Sequence, residues 1–324
     1  MKKFISILSA AVMFAGILTG CNSSGSSQKN KDGKLSIVTT IFPQYDFVRQ
    51  IAGDNVDITM LLSPGAESHS YEPTPQDIIK IQESDLFIYV GGEGDVWVDT
   101  IVDSMNKPLN TLTLMDCVDV VEEEHVEGMQ EEEHEDGDKH DHDEEKEEAE
   151  LDEHVWTSPK NAIKMVKCIS DELCSIDAKN ADEYKSNTEK YVSELEELDK
   201  KFEQIVSDGK RDTIIFADRF PLRYFADAYK LSYFAAFPGC SSDTEPSAST
   251  IAFLIDKIKE EKIPVVFNIE FSNKKVSDTI SKSTGAKMLE FHSCHNVSSD
   301  DFKNGVTYLD LMNKNAAALN EALN

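Results

Sequence analysis

Positive charge is scarce in this chain: 32 Lys and Arg stand against 61 Asp and Glu, a formal net charge of −29 over 324 residues. That balance argues against a nucleic-acid partner, because phosphate binding needs a basic face. Apolar runs are equally scarce. One begins at Phe4 and ends near Ile17, and nothing after it approaches the ~20 apolar residues of a membrane-spanning helix. The His-Glu-x-x-His helix of zinc hydrolases is also missing, so hydrolysis lacks its usual ligand and base pattern.

Acid and imidazole are what the chain does have, and they are concentrated together. Residues 122–153 contain 19 Asp/Glu and 2 Lys, which is −17 of the formal −29, together with His125, His134, His140 and His142, half of the eight histidines. Such a run cannot bury enough apolar surface to offset its ordering entropy, so a disordered loop is expected. Imidazole is the commonest ligand for borderline divalent metals, and carboxylates concentrate cations. The tract therefore reads as an auxiliary metal-collecting loop, against the plainer reading of a solubilising run.

The first 20 residues have a positive start, an apolar core and the cleavage-type sequence Leu18-Thr19-Gly20 before Cys21. They resemble a bacterial lipoprotein signal, which implies lipidation of Cys21 and an extracytoplasmic protein anchored to the cell membrane. Residues 21–33 form a polar, flexible tether. The remainder is long enough for two cores.

Apolar periodicity divides that remainder. Runs 35–41 and 86–90 read as buried strands, and 44–52 and 75–82 as helices. Ser158-Pro159 opens a further helix, with the hydroxyl expected to cap it. Residues 181–207 carry apolar side chains every three or four positions, giving one long amphipathic helix. Strand and helix then alternate again: strands at 213–216, 265–269 and 287–291, helices at 246–261 and 274–283, and a last helix from 305. The fold class expected is α/β, two lobes of mostly parallel sheet flanked by helices, joined by one long connecting helix. The boundaries read as an N-terminal lobe 34–178, a connecting helix 179–210 and a C-terminal lobe 211–324.

Ligands of such sheets sit beyond the carboxyl ends of strands, and four histidines fall there. His69 lies in a Pro/Gly-rich loop after the apolar 58–62 run. His154 precedes the Ser158-Pro159 helix, and His292 and His295 close the 287–291 run.

With these residues in view, the chain resembles the metal-binding lipoproteins that feed ATP-binding-cassette uptake systems, especially their zinc-type branch. The resemblance rests on the cleavage motif at Cys21, Gly65-Ala66-x-x-His69-x-Tyr71-x-Pro73-x-Pro75-x-Asp77 and the acidic His-rich insert. It rests further on Asp152-x-His154-x-Trp156-x-Ser158-Pro159, Glu245-Pro246-Ser247 and Phe267-x-x-Glu270. It implies a non-enzymatic monomeric receptor that holds one Zn2+ between its lobes through His69 and His154 and delivers it to a membrane permease. A manganese receptor of the same type and a His-rich surface adhesin are the alternatives. A zinc hydrolase with Glu270 as base is the remotest.

The second lobe departs from the family pattern. Arg219 stands where members carry a third histidine, and a guanidinium has no lone pair for a metal. His292 is expected to replace it, with His295 as second candidate. Three imidazoles suit zinc better than manganese. Glu270 is either a carboxylate ligand or, as preferred here, the salt-bridge partner of Arg219 or Arg223. Among the cysteines, Cys240 and Cys294 are expected to form a disulfide or, failing that, to offer a thiolate to the metal.

Overall fold

The structure, a computed structural model, describes residues 33–67, 71–105, 108–130, 150–239, 241 and 245–324. The signal, the tether with Cys21, and His69, His134, His140, His142 and Cys240 lie outside the described residues. Among the described residues no helix is long and apolar enough to cross a membrane.

The first lobe runs β1 (Leu35–Thr39), α1 (Phe42–Ala52), β2 (Val56–Met60), α2 (Pro75–Glu83), β3 (Leu86–Tyr89), α3 (Val96–Ser104), β4 (Thr111–Thr113) and α4 (Pro159–Ile176). Helix α5 (Ala181–Asp208) follows. The second lobe runs β5 (Thr213–Arg219), α6 (Arg223–Tyr229), β6 (Ser232–Phe237), α7 (Ala248–Glu261), β7 (Val265–Asn268), α8 (Lys275–Thr284), β8 (Lys287–Glu290), α9 (Ser299–Lys303) and α10 (Tyr308–Leu323). Each lobe has one four-stranded, all-parallel sheet, ordered β2-β1-β3-β4 in the first and β6-β5-β7-β8 in the second.

Local chemistry explains the helix starts. Thr74 and Asp77 form a reciprocal capping box ahead of Pro75, and Thr307 with Asp310 does the same for α10. Ser158 precedes α4 as expected and Pro159 occupies its first turn, but the Ser158 hydroxyl caps nothing. The 28-residue α5 would be marginal alone; it buries Tyr184, Tyr191, Leu195, Leu198 and Phe202. Those side chains belong to one apolar cluster that reaches from Ile37 and Trp156 in the first lobe to Phe216, Phe291 and Tyr308 in the second.

One cysteine expectation is corrected, and a bridge with no signal in the sequence is found. Cys117, after β4, is bonded to Cys168 on α4, and Cys294 carries a free buried thiol, so it makes no bridge to Cys240. Of the acidic tract, only residues 122–130 and 150–153 are described. Glu122 bridges Leu151, Val126 and Met129 pack on the core, and the Gln130 N–H donates to the Ala236 carbonyl of edge strand β6 at 2.9 Å. The described ends of the tract are thus pinned by backbone pairing and a few apolar side chains, which the run of acids conceals in sequence.

Candidate metal centre

A 3-10 turn, Val155–Thr157, separates His154 from Pro159 and α4. His154 is fully buried; its main-chain N–H donates to Asp152 Oδ1 at 2.8 Å, and ring Nδ1 lies 3.1 Å from the same oxygen. An Nδ1–H given to a carboxylate leaves the ring lone pair on Nε2, the arrangement used by zinc-ligating imidazoles. Burial disfavours the imidazolium, but Asp152, supported by Glu153 and Glu123, outweighs burial and raises the His154 pKa. Gly239, after β6, backs the ring: a Cβ there would sit 3.2 Å from His154 Cε1, so a larger residue would press on the imidazole.

His295 arrives from the loop after β8. Its ring centroid is 5.8 Å from that of His154 and 4.9 Å from that of Trp156. Although it belongs to the second lobe, this loop is fastened to the first. The Phe42 N–H donates to the His295 carbonyl at 3.3 Å, and Trp156 Nε1 donates to the Ser293 carbonyl at 2.9 Å. Asn296 Nδ2 donates to the carbonyls of Ser63 and Ala66, each at 2.9 Å, on the segment that leads to His69.

His292 faces elsewhere. Its Nδ1 accepts the Cys294 N–H at 2.9 Å, and its main chain is gripped by the Asn315 amide at 2.7 Å on both N–H and carbonyl. The ring lines a groove with Glu290, Asp301 and Lys314, while His295 lines the interlobe cleft. The left-handed backbone at Cys294, φ 65°, turns the chain between them.

The residues weighed around these histidines are also reassigned. Glu270 accepts the Ser293 N–H at 2.7 Å and the Ser293 hydroxyl at 2.6 Å, whereas Arg219 pairs with Glu67 across the lobes and Arg223 with Glu124 and Asp227. The expected salt bridge from Glu270 to either arginine is therefore replaced by a clamp on the His295 loop. Burial, with Glu270 and Asp46 nearby, holds the Cys294 thiol well above its ordinary pKa in the metal-free protein.

His295 borders two hollows. One is walled by Thr40, Tyr71, Asp95, Glu153 and Trp156; the other by Glu67, Arg219, Gly239 and Glu270. The first is acidic. Burial pushes the Asp95 carboxyl up to about 7 despite hydrogen bonds from the Val90 and Gly91 N–H groups, and burial with Glu150, Glu153 and Glu123 around it raises that of Glu93. Crowded carboxylates in a cleft concentrate cations.

Of the residues singled out in sequence, the structure brings His154 and His295 together and keeps His292 apart. His69 lies two residues beyond Glu67, outside the described residues. His125 is exposed on the tract's leading limb. Among the described residues no three His, Cys, Asp or Glu side chains converge on one point. Asp95 and Gly239 had no signal in the sequence, and Asp152 had one, its place two residues before His154.

Over residues 37–322 the chain matches the family described as zinc-uptake complex component A, periplasmic. The chain belongs to that family. It is 35% identical over 321 residues to the zinc-binding lipoprotein AdcA of Streptococcus pneumoniae, covering 99% of this chain and 61% of that protein. It therefore spans about three-fifths of the streptococcal relative. The high-affinity zinc uptake system protein ZnuA of Bacillus subtilis is 32% identical over 328 residues, 99% of this chain and 98% of the relative. The Zn(II)-bound ZnuA-like domain of S. pneumoniae AdcA superposes with a TM-score of 0.73 at 30% identity, covering 90% of this chain and 99% of the domain. This membership agrees with the resemblance carried by the motifs, and the two-lobed fold with a long helix between the lobes is shared.

Proposed function

We propose that this protein is the extracytoplasmic receptor of a zinc importer, tethered through Cys21, that holds one Zn2+ between its lobes and delivers it to a membrane permease. His69 and His154 supply imidazoles from the first lobe and His295 one from the second. A water or a carboxylate completes the sphere. The observation that carries this reading is the meeting of His154 and His295 in the cleft, with ring centroids 5.8 Å apart. Two imidazoles bound tetrahedrally to zinc at ~2.0–2.1 Å place their centroids roughly 5 Å apart, so a small movement closes the pair on the metal.

The family membership and the zinc-binding names of the relatives support the same cargo. The acidic cleft walls attract cations, and the Asp152–His154 pair keeps Nε2 as the lone-pair atom. A receptor must release what it captures. A site made by two lobes does so when they separate, and an imidazole and water sphere lets go more readily than one rich in sulfur.

Competitive chelator titration of the mature chain tests this. One tight zinc per chain, lost in His154→Ala and weakened in His295→Ala, is expected. Tight binding that survives both substitutions would reject the reading.

A further inference from the structure

The residue whose carboxylate orients His154 is itself held, by its main chain, from the opposite lobe. Tyr224 lies in the first turn of α6 and is buried; its hydroxyl donates to the Asp152 carbonyl at 2.7 Å and accepts the Val121 N–H at 3.2 Å. The Asp152 N–H donates in turn to the Val121 carbonyl at 2.9 Å, and the Glu123 N–H to the Glu150 carbonyl at 2.8 Å. The two limbs of the acidic tract are thus laced together, and the Tyr224 hydroxyl bonds both limbs at the point where they enter and leave. Burial pushes the phenol up to about 12, so it remains a donor at physiological pH.

The same face of the second lobe seats the leading limb. Glu124 accepts from the Tyr233 hydroxyl at 2.9 Å and pairs with Arg223, and Glu127 approaches Lys257 at 3.6 Å. On the first lobe the returning limb ends in Glu153, whose Oε2 accepts the Gly94 N–H at 2.8 Å. Asp152 lies between these two anchorages, with its main chain tied to Tyr224 and its side chain to His154.

We propose that Tyr224 is a positioning residue for the metal site: from the second lobe it fixes the main chain of Asp152, and thereby the carboxylate that aims His154. The aim of the first lobe's buried imidazole then depends on the second lobe being docked. The proposal rests on the reading of His154 as a zinc ligand. A residue that only filled space would be replaced without loss by phenylalanine.

Tyr224→Phe keeps the ring and removes one oxygen. Tyr229→Phe is the control; it removes a hydroxyl on the same helix that donates to Asp199 at 2.8 Å, away from the cleft. Zinc dissociation constants are measured on the full chain by chelator competition, alongside the thermal midpoint of the metal-free protein. Removing an outer-shell partner costs roughly 10–100-fold in metal affinity. The expected losses are therefore about 10–100-fold for Asp152→Asn, about 3–10-fold for Tyr224→Phe and under about twofold for Tyr229→Phe. Because the influence runs through Asp152, the double variant Asp152→Asn/Tyr224→Phe should bind no more weakly than Asp152→Asn alone.

In the metal-free protein the Nδ1–H proton resonance of His154 should be protected from exchange in wild type and Tyr229→Phe and should broaden in Tyr224→Phe. Wild-type affinity in Tyr224→Phe, an equal loss in Tyr229→Phe, or losses that multiply in the double variant would each overturn the proposal. Tight zinc binding by His154→Ala would instead overturn the receptor reading beneath it.

Discussion

The two lobes hold their histidines in opposite ways. In the first, His154 is fully buried on a short turn, with a carboxylate on Nδ1 and the amino end of α4 following at once. In the second, His295 is half-buried on an irregular loop whose main chain is held by Phe42, Trp156 and the Glu270–Ser293 clamp. One lobe presents a pre-aimed imidazole; the other presents an imidazole whose position depends on contact with its neighbour. A metal site divided in this way would be strong when the lobes are docked and weak when they part, as the proposed receptor role requires.

This contrast is breakable by substitution. His154→Ala should have the largest effect, about 10³-fold in zinc affinity or roughly 4 kcal/mol, because a pre-aimed ligand is lost. His295→Ala should cost about 10²-fold, and His292→Ala less than about threefold, since its ring faces another groove; chelator competition ranks all three. A reversed order of His292 and His295 would mean that the loop is inverted when metal is bound.

The first lobe should also lose more stability when its covalent tie is cut. The Cys117–Cys168 bond closes a loop of sequence separation 51 that contains the whole acidic tract and His154. Replacing both cysteines by serine should lower unfolding stability by about 2–4 kcal/mol, read from the urea midpoint. Equal midpoints would show that apolar packing alone holds this lobe.

Acidity gives a smaller effect confined to the first lobe. The folded-state pKa of Asp95 is about 7, above the ordinary carboxylate value, so the folded chain keeps a proton that the unfolded chain releases. That contribution is fully present below about pH 4 and is lost as pH rises through about 7. Metal-free protein should therefore lose roughly 1–3 kcal/mol from this group between pH 4 and 7.5, and Asp95→Asn should flatten that slope. An unchanged slope in the variant would place the pH dependence elsewhere.

Deleting residues 131–149 should change the tight site least of all. Total bound zinc should fall while the tight dissociation constant stays within about twofold. Equal stoichiometry in both forms would remove the collecting role assigned to His134, His140 and His142.

The fold was legible where periodicity was long. The apolar spacing from Tyr184 to Ile205 announced α5, and buried strands next to capped starts announced both parallel sheets. Strand β6 carried no such signal, because Ser232–Phe237 is an aromatic and alanine run without alternation. The site was half legible. Asp152-x-His154 ahead of Ser158-Pro159 marked the buried first-lobe imidazole, but which of His292 and His295 faces the cleft depended on one left-handed residue, Cys294, which spacing does not reveal. The cysteine pairing was hidden for a similar reason. Cys117 and Cys168 meet only once β4 and α4 are packed, whereas Cys240 and Cys294 merely share a loop-rich neighbourhood in sequence.

The most direct test is X-ray absorption at the zinc edge of a one-equivalent complex, using protein that lacks residues 131–149. The account predicts nitrogen and oxygen neighbours at ~2.0–2.1 Å with three imidazole scattering signatures and no sulfur, falling to two imidazoles in His295→Ala. A sulfur neighbour at ~2.3 Å, or an imidazole count unaltered in His295→Ala, would contradict it.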